Sequence, residues 1–346
     1  MFRRRLLSLV ALLAASPATA QASPAALQIY VIDVEGGGAT LIVSPEGESM
    51  LVDTGNAPPN AVRDSGRIRL AMEDAGLKSI DYLFTTHYDG DHVGGVQAVD
   101  QFAHFRRFFD HGDMDTAFVQ NPGYEQRWNS YTSVSAGKRT TVHPGDRIPI
   151  KGLKVEVVSS HGSVLTKPIN GGGPNRYCEG AEQKDPDKTE NSQSAGFLLT
   201  YGKFTSLHLG DLTWDKEMAL ACPVNQLGHV SLFIATHHGF FNGMSGAPAH
   251  VWGVQPQVVI ANNGPRKSLP AEAFDRIQRI NGVEGVWQLH LNLLTDAAHN
   301  TKADMIANLE ASDKCQGNWV KVTVVSDGKF TITNHRNGFA QTYHAR

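Results

Sequence analysis

His87-Tyr88-Asp89-Gly90-Asp91-His92-Val93-Gly94-Gly95 is the stretch on which the reading of this chain turns. Residues His87 to His92 bring two histidines and two aspartates together around a glycine that permits tight backbone geometry. Imidazole nitrogen and carboxylate oxygen are preferred ligands of zinc, manganese and iron, and a loop carrying several of them can hold parts of two metal sites. The apolar run Tyr82 to Thr85 reads as a buried strand entering the loop, and a glycine pair leaves it. That setting separates the run from a solvated cluster of acids and histidines.

Toward the N-terminus, β-rich runs alternate with turn residues. Gln28 to Val34, Thr40 to Val43 and Met50 to Val52 are separated by Glu35-Gly36-Gly37-Gly38 and Pro45-Glu46-Gly47, which predicts an antiparallel meander ending at Asp53-Thr54-Gly55. Arg63 to Ala75 has helical spacing and stops at Gly76. A strand followed by a polar loop and a helix is where α/β enzymes place their active sites.

Toward the C-terminus, the segment from Gly162 to Asn191 is rich in Gly, Pro, Asn, Asp and Lys and reads as a long surface excursion. Ala195 to Tyr201 and Phe204 to Leu209 flank Gly202-Lys203 as a hairpin whose second strand delivers Gly210-Asp211. A carboxylate at Asp211 suits a bridge between two cations. The competing role is an N-cap for a helix from Leu212 to Leu220. The strand Val230 to Ala235 ends in Thr236-His237-His238-Gly239, where one histidine suffices for a metal and the other can pack or hydrogen-bond. Val258 to Ala261 ends in Asn262-Asn263-Gly264-Pro265-Arg266-Lys267, followed by a helix from Pro270 to about Ile280. A helix at Thr301 to Leu309 and two strands, Val320 to Val325 and Lys329 to Thr333, complete the chain. Two β-then-α halves of similar make-up predict two sheets packed face to face with helices outside.

The chain has 346 residues, with 41% hydrophobic and 19% charged content, enough to bury a full-sized core. Its first twenty residues read differently: Arg3-Arg4-Arg5, an apolar stretch from Leu6 to Ala15, then Ala18-Thr19-Ala20. This predicts a signal peptide over residues 1–20 and an exported protein, periplasmic or secreted, over residues 21–346. Removing three arginines and no acid takes the formal charge from −3 to −6. With no Lys/Arg block, strong binding to duplex nucleic acid is not expected. No later segment approaches about 18 consecutive apolar residues. Cys178, Cys222 and Cys315 show no CxxC spacing, which predicts one disulfide and one spare thiol without choosing the pair.

Taken in order, Asp-x-Gly at 53–55, HxDxDHxGG at 87–95, Gly-Asp at 210–211 and His-His-Gly at 237–239 resemble the metallo-β-lactamase superfamily, from about Leu27 to about Val286. More narrowly, the chain is similar to the hydrolase domain of ComEC-type DNA-uptake proteins, whose signature carries aspartate where the usual HxHxDH motif has its second histidine, as Asp89 does here. The resemblance implies an αββα sandwich, here with a C-terminal β extension over about 315–346. It implies that His87 and Asp89 hold a first metal, that Asp91, His92 and His238 hold a second, and that Asp211 bridges. Asp53 would buttress ligands by hydrogen bonding, and His237 would stand behind them. For a further ligand of the first metal, His161 and the Asn191, Ser192 and Ser194 stretch both remain open.

Two divalent cations are implied, zinc by default and manganese as an alternative. Two such ions and a hydroxide would neutralise Asp89, Asp91 and Asp211. The reaction implied is hydrolysis by a metal-bound hydroxide, with His87 and Asp91 in catalytic positions and Asp91 orienting the nucleophile. Asn263, Lys267 and His290 are candidate substrate groups, and Arg266 and Lys267 suit an anion. The preferred substrate is a small-molecule or short single-stranded phosphate ester, for a phosphodiesterase or nuclease-like enzyme. The alternatives are a lactam, lactone or other acyl hydrolase, and a metal-dependent binding protein without turnover.

Overall fold

A computed structural model describes residues 26–119, 121–240, 243–312 and 314–346; the signal peptide expected over 1–20 lies outside them. The first half contains β1 (Leu27–Val31), β2 (Thr40–Val43), β3 (Ser49–Val52), α1 (Ala61–Asp74), β4 (Tyr82–Phe84), α2 (Val96–Ala103), β5 (Arg107–Asp110), α3 (Thr116–Val119), α4 (Pro122–Ser135) and β6 (Arg139–Thr141). Next come β7 (Arg147–Ile148), β8 (Lys154–Ser160), β9 (Ser163–Val164), β10 (Gly173–Pro174), β11 (Gly196–Tyr201), β12 (Phe204–His208), α5 (Trp214–Ala221), β13 (Val224–Asn225) and β14 (Leu232–Ile234). The chain ends with α6 (His237–Phe240), α7 (Pro248–Val254), β15 (Val258–Ala261), α8 (Ala271–Gln278), β16 (Gly285–His290), β17 (Ile306–Asn308), β18 (Val320–Val324), β19 (Lys329–Asn334) and β20 (Ala340–His344).

Two large sheets result. One runs β20-β19-β18-β1-β2-β3-β4-β5-β6; the other runs β17-β16-β15-β14-β12-β11-β8-β7, with β9 on β8. Side-chain alternation explains how they stack. Leu27, Ile29 and Val31 of β1, Met50 and Val52 of β3, Leu232 and Ile234 of β14, and Val258 and Ile260 of β15 share one core between the sheets. The intervening residues turn to the helices: Tyr30 and Leu51 pack with Ile68 of α1 and Val99 of α2, whereas Phe233 and Val259 pack with Val251 of α7 and Ile277 of α8. Strands apolar on both faces demand cover on both faces, and the sequence supplies a sheet on one and helices on the other. The architecture is therefore a four-layer αββα sandwich. Phe84 and Phe197 meet edge to face across its centre at 5.0 Å, and truncating either to alanine would cost about 3–5 kcal/mol.

Helical crossovers make β3, β4, β5 and β6 parallel in the first sheet and β12, β14, β15 and β16 parallel in the second. Their carboxyl ends open together, and the loops there carry Asp53, His87, Asp211, His238 and Asn262.

The extension beyond residue 315 is not peripheral: β18 pairs with β1, so the C-terminal strands widen the first sheet. The helix expected at Thr301 to Leu309 is corrected. A 3-10 turn at Ala303–Met305 leads into β17, which joins β16 in parallel. Pairing at the sheet edge and the Asn308 side-chain bond to Leu289 O override a weak helical pattern. A disulfide ties Cys178 of the long excursion to Cys222 at the end of α5, leaving Cys315 as the free thiol.

Candidate metal centre

The Asp53-Thr54-Gly55 turn sits at the end of β3, with Asp53 in the left-handed region at φ 60°. A non-glycine residue held there is strained unless its surroundings fix it. Here they do: Asp53 Oδ1 accepts from Thr86 N at 2.8 Å, and Oδ2 accepts from Thr86 Oγ1 at 2.8 Å and faces His92 Nδ1 at 2.7 Å. Burial disfavours charge on Asp53, yet the imidazolium character of His92 holds its carboxyl below the usual range. The glycine at 38 makes this approach possible, since a Cβ there would stand 2.7 Å from His92 Nδ1 and 2.8 Å from Asp53 Oδ2.

With Nδ1 tied to Asp53, His92 turns Nε2 toward Asp211 Oδ1 at 3.2 Å and His238 Nε2 at 3.1 Å. His238 Nε2 lies 3.2 Å from Asp211 Oδ2 and 3.4 Å from Asp91 Oδ2. Ligand-type atoms of Asp91, His92, Asp211 and His238 all lie within 4.8 Å of one another. Two imidazole nitrogens facing each other beside two carboxylates is a donor set that a cation satisfies and that hydrogen bonds alone serve poorly. Burial opposes charge on Asp211, but His237, His238 and His92 hold it well below the ordinary carboxylate range. The same carboxylates, against burial, push His92 well above the ordinary histidine range.

Asp211 is not the cap of the following helix, because the N-cap position of α5 is Thr213. Its Oδ1 serves His92, while Oδ2 serves His238 and also His237, whose Nε2 is 3.2 Å away. His237 therefore touches the Asp211 carboxylate directly, and burial lowers its pKa to about 4. Behind His238, Asn262 Nδ2 lies 3.0 Å from Nδ1, while Asn262 Oδ1 is buried without a partner. With the amide turned, that oxygen can accept from Nδ1–H and leave a lone pair on His238 Nε2.

His87 is fully buried, its Nδ1 3.0 Å from Thr86 Oγ1 and its Nε2 without a hydrogen-bond partner. Asp89 Oδ2 lies 3.7 Å from that nitrogen, and Asp89 Oδ1 accepts from Tyr124 OH at 2.6 Å. The Asn/Ser stretch lies beside this half of the site: Ala195 N donates to Thr86 O at 2.7 Å, and Tyr88 N donates to Glu190 Oε1 at 3.0 Å. Asn191 Oδ1 and Ser194 Oγ are buried and unpartnered, whereas Ser192 Oγ is spent on Thr189 O. His161 is exposed, its N bonded to Gln193 O and its ring 5.9 Å from His111. The unpartnered buried atoms fit a cation better than the exposed imidazole does.

Lys267 reaches the cluster, its Nζ paired with Asp91 Oδ2. Arg266 is exposed. The other two candidate substrate groups, Asn263 and His290, are both fully buried, and Asn263 Nδ2 donates to His290 O at 2.9 Å. His290 Nε2 instead lies 2.9 Å from Asp33 Oδ2, in a network that Arg67 and Arg63 close through Asp33 and Glu35. Sequence reading missed Tyr124 and the buried His111–Glu190 pair at 2.8 Å. Asn121-Pro122, a cap residue followed by proline, is the signal for α4 that would have found Tyr124.

The Metallo-beta-lactamase superfamily model matches residues 33–169, which include the Asp53 turn and the whole His87–Gly95 run. The match supports the superfamily likeness of the first two motifs, while Gly210-Asp211 and His237-His238-Gly239 lie beyond it, and the αββα sandwich is consistent with that fold. Among solved structures, a metallo-beta-lactamase from Cronobacter sakazakii (HARLDQ motif mutant) is 14% identical at a TM-score of 0.34, over 53% of this chain and 60% of that one. The chain thus spans less than two thirds of that structure's length. The metallo-beta-lactamase fold protein YhfI from Bacillus subtilis is 11% identical at a TM-score of 0.45, over 75% of this chain and 96% of that one. A diphosphatase described as of the PhnP family is 13% identical at a TM-score of 0.36, over 76% and 85%. No curated protein sequence matches the chain.

Proposed function

We propose that this chain is an exported, metal-dependent hydrolase that cleaves a phosphate ester at a dinuclear site. The observation that carries the reading is the Lys267 ammonium seated on Asp91 within the cluster of Asp91, His92, Asp211 and His238. A fixed cation beside a ligand set suits an electrophile that is itself anionic.

His87 and Asp89, with Asn191 or Ser194 beside them, would hold one divalent ion, and Asp91, His92 and His238 the other, with Asp211 between. Zinc fits the histidines; the share of carboxylates also suits manganese. Such a pair supplies Lewis acidity, activating water and neutralising charge on the phosphoryl oxygens. The chain's own residues do the positioning. Asp53 keeps His92 Nδ1 occupied, so that Nε2 faces the cluster. Asp91 orients the attacking water, and Lys267 is released from Asp91 to hold a phosphoryl oxygen. Water adds to phosphorus, the ester P–O bond breaks, and the leaving alcohol takes the proton.

The acidic charge favours a small or short single-stranded ester over duplex nucleic acid. Export is supported by the leader-like first twenty residues and by the Cys178–Cys222 disulfide. The test is turnover by zinc- and manganese-loaded protein of bis-p-nitrophenyl phosphate, a cyclic dinucleotide, nitrocefin and a homoserine lactone. The diester should be hydrolysed, and Lys267→Gln should raise its KM about tenfold, as expected for one lost charge-assisted contact. Turnover confined to nitrocefin or the lactone would overturn the proposal.

A further inference from the structure

The cation at Asp91 has a counterpart across the metal loop. Helix α4 presses on the loop through Tyr124, whose hydroxyl donates to Asp89 Oδ1 at 2.6 Å. One turn further along, the Arg127 guanidinium carbon lies 4.1 Å from the centre of the Tyr124 ring. Arg127 also lies over the middle glycine of the loop: a Cβ on Gly90 would stand 3.0 Å from its Nη1 and 3.5 Å from its Cδ. A larger residue at 90 would require the guanidinium to shift, whereas glycine lets it sit close against the loop.

Arg127 is held but not neutralised. Its Nε donates to Gly123 O at 2.9 Å, and among the described residues neither Nη atom has a hydrogen-bond partner and no carboxylate pairs with it. Arg139, which follows on β6, is committed to Asp110 and Asp113, and Arg63 to Glu35 and Asp64. A stacked, oriented guanidinium with free donors is preorganised for a two-oxygen anion. It also borders a groove of about 490 Å³ that runs between Ala57, Gly94, Gln97 and Gln126, with room for the group such an anion would carry.

We infer that Arg127, braced by Tyr124 and admitted by Gly90, is a second anion subsite that binds a non-reacting phosphate of the substrate. This rests on the phosphate-ester reading and narrows it. The substrate class becomes a phosphodiester that bears a further phosphate, as a short phosphorylated oligonucleotide does. Lys267 serves the reacting phosphoryl group on the Asp91 side of the loop, and Arg127 serves the second on the Asp89 side.

The experiment compares thymidine 5′-(p-nitrophenyl phosphate) with the same ester carrying a 3′-phosphate, using metal-loaded wild type, Arg127→Gln and Arg127→Lys. The preference is read as a ratio within each protein, so a general loss of activity does not mimic the result. Wild type should favour the 3′-phosphorylated ester about tenfold or more in kcat/KM, chiefly through KM. Arg127→Gln should bring the ratio near one, and Arg127→Lys should keep part of it. Equal rates on the two esters in wild type, or a preference that survives in Arg127→Gln, overturn the inference. If neither ester turns over, the phosphate-ester reading fails, and the subsite is tested by calorimetry with thymidine 3′,5′-bisphosphate against thymidine 5′-phosphate. Tighter binding of the bisphosphate that is lost in Arg127→Gln supports the subsite; the same ratio in both proteins overturns it.

Discussion

Replacing Asp53 by asparagine leaves the shape of the site intact and changes one proton. The oxygen of the new amide must face Thr86 N, because that backbone donor now lies 2.8 Å from Asp53 Oδ1. Its NH2 group then faces His92 Nδ1, where a carboxylate oxygen stands at 2.7 Å. Two donors cannot share that contact, so His92 must give up the proton on Nδ1 and carry it on Nε2, the nitrogen that faces Asp211 and His238. A protonated Nε2 cannot ligate a metal. Losing a charge-assisted hydrogen bond costs about 1.5–3 kcal/mol, in keeping with the roughly 10- to 100-fold loss of metal affinity found when a partner behind a ligand histidine is removed. The assay is a competitive zinc titration of metal-stripped wild type and Asp53→Asn, with cooperative unfolding as the check that the variant folds. A folded Asp53→Asn protein with wild-type zinc affinity would mean that Asp53 does not set the His92 tautomer.

Glu217 is buried and raised to about 8, despite accepting from Gly246 N and Ala247 N. The folded state keeps a proton that the unfolded chain releases near pH 4.3, so stability should fall between about pH 4.5 and 8. Glu217→Gln should therefore match wild type near pH 4.5 and exceed it by a few kcal/mol at pH 8.5 in urea unfolding; a constant difference contradicts this. His290 behaves in the opposite sense: burial opposes its charge, but Asp33 raises it to about 9. Its contribution, about 3 kcal/mol, should be complete below pH 6.5 and lost as pH rises through 9, so His290→Gln should be markedly destabilised at pH 6 and little changed at pH 10. An equal deficit at both values would count against the Asp33 pairing. The Cys178–Cys222 bond closes a loop of 44 residues, and reduction should cost about 4 kcal/mol on the chain-entropy account. An unchanged denaturation midpoint in reductant would remove that contribution.

Much of the candidate site was legible because its metal-ligand-type residues lie at strand ends and are dense in sequence. His87 to His92, Gly210-Asp211 and His237-His238 each follow an apolar run, and parallel strands bring such ends to one edge. What escaped depends on register and on distance. Asn262 and Asn263 are neighbours, yet the first faces His238 and the second His290 O, a one-residue difference that strand pattern does not resolve. His290 ends a strand like the other ligand positions, but its partner Asp33 is set by packing between opposite ends of the chain. Tyr124 acts across 35 residues from a helix that carries little apolar periodicity. The helix expected at 301–309 yielded to a sheet edge that needed a partner strand.

On the proposed reading, Asp91, His92, Asp211 and His238, with His87 and Asp89, form one site for two divalent cations. It is decided by metal analysis of purified wild type and Asp211→Ala, each after zinc loading and desalting. Two zinc ions per wild-type chain and a loss of at least one in folded Asp211→Ala are the predicted result. A wild-type chain that retains no divalent metal, or an Asp211→Ala chain that retains the full wild-type content, would contradict it.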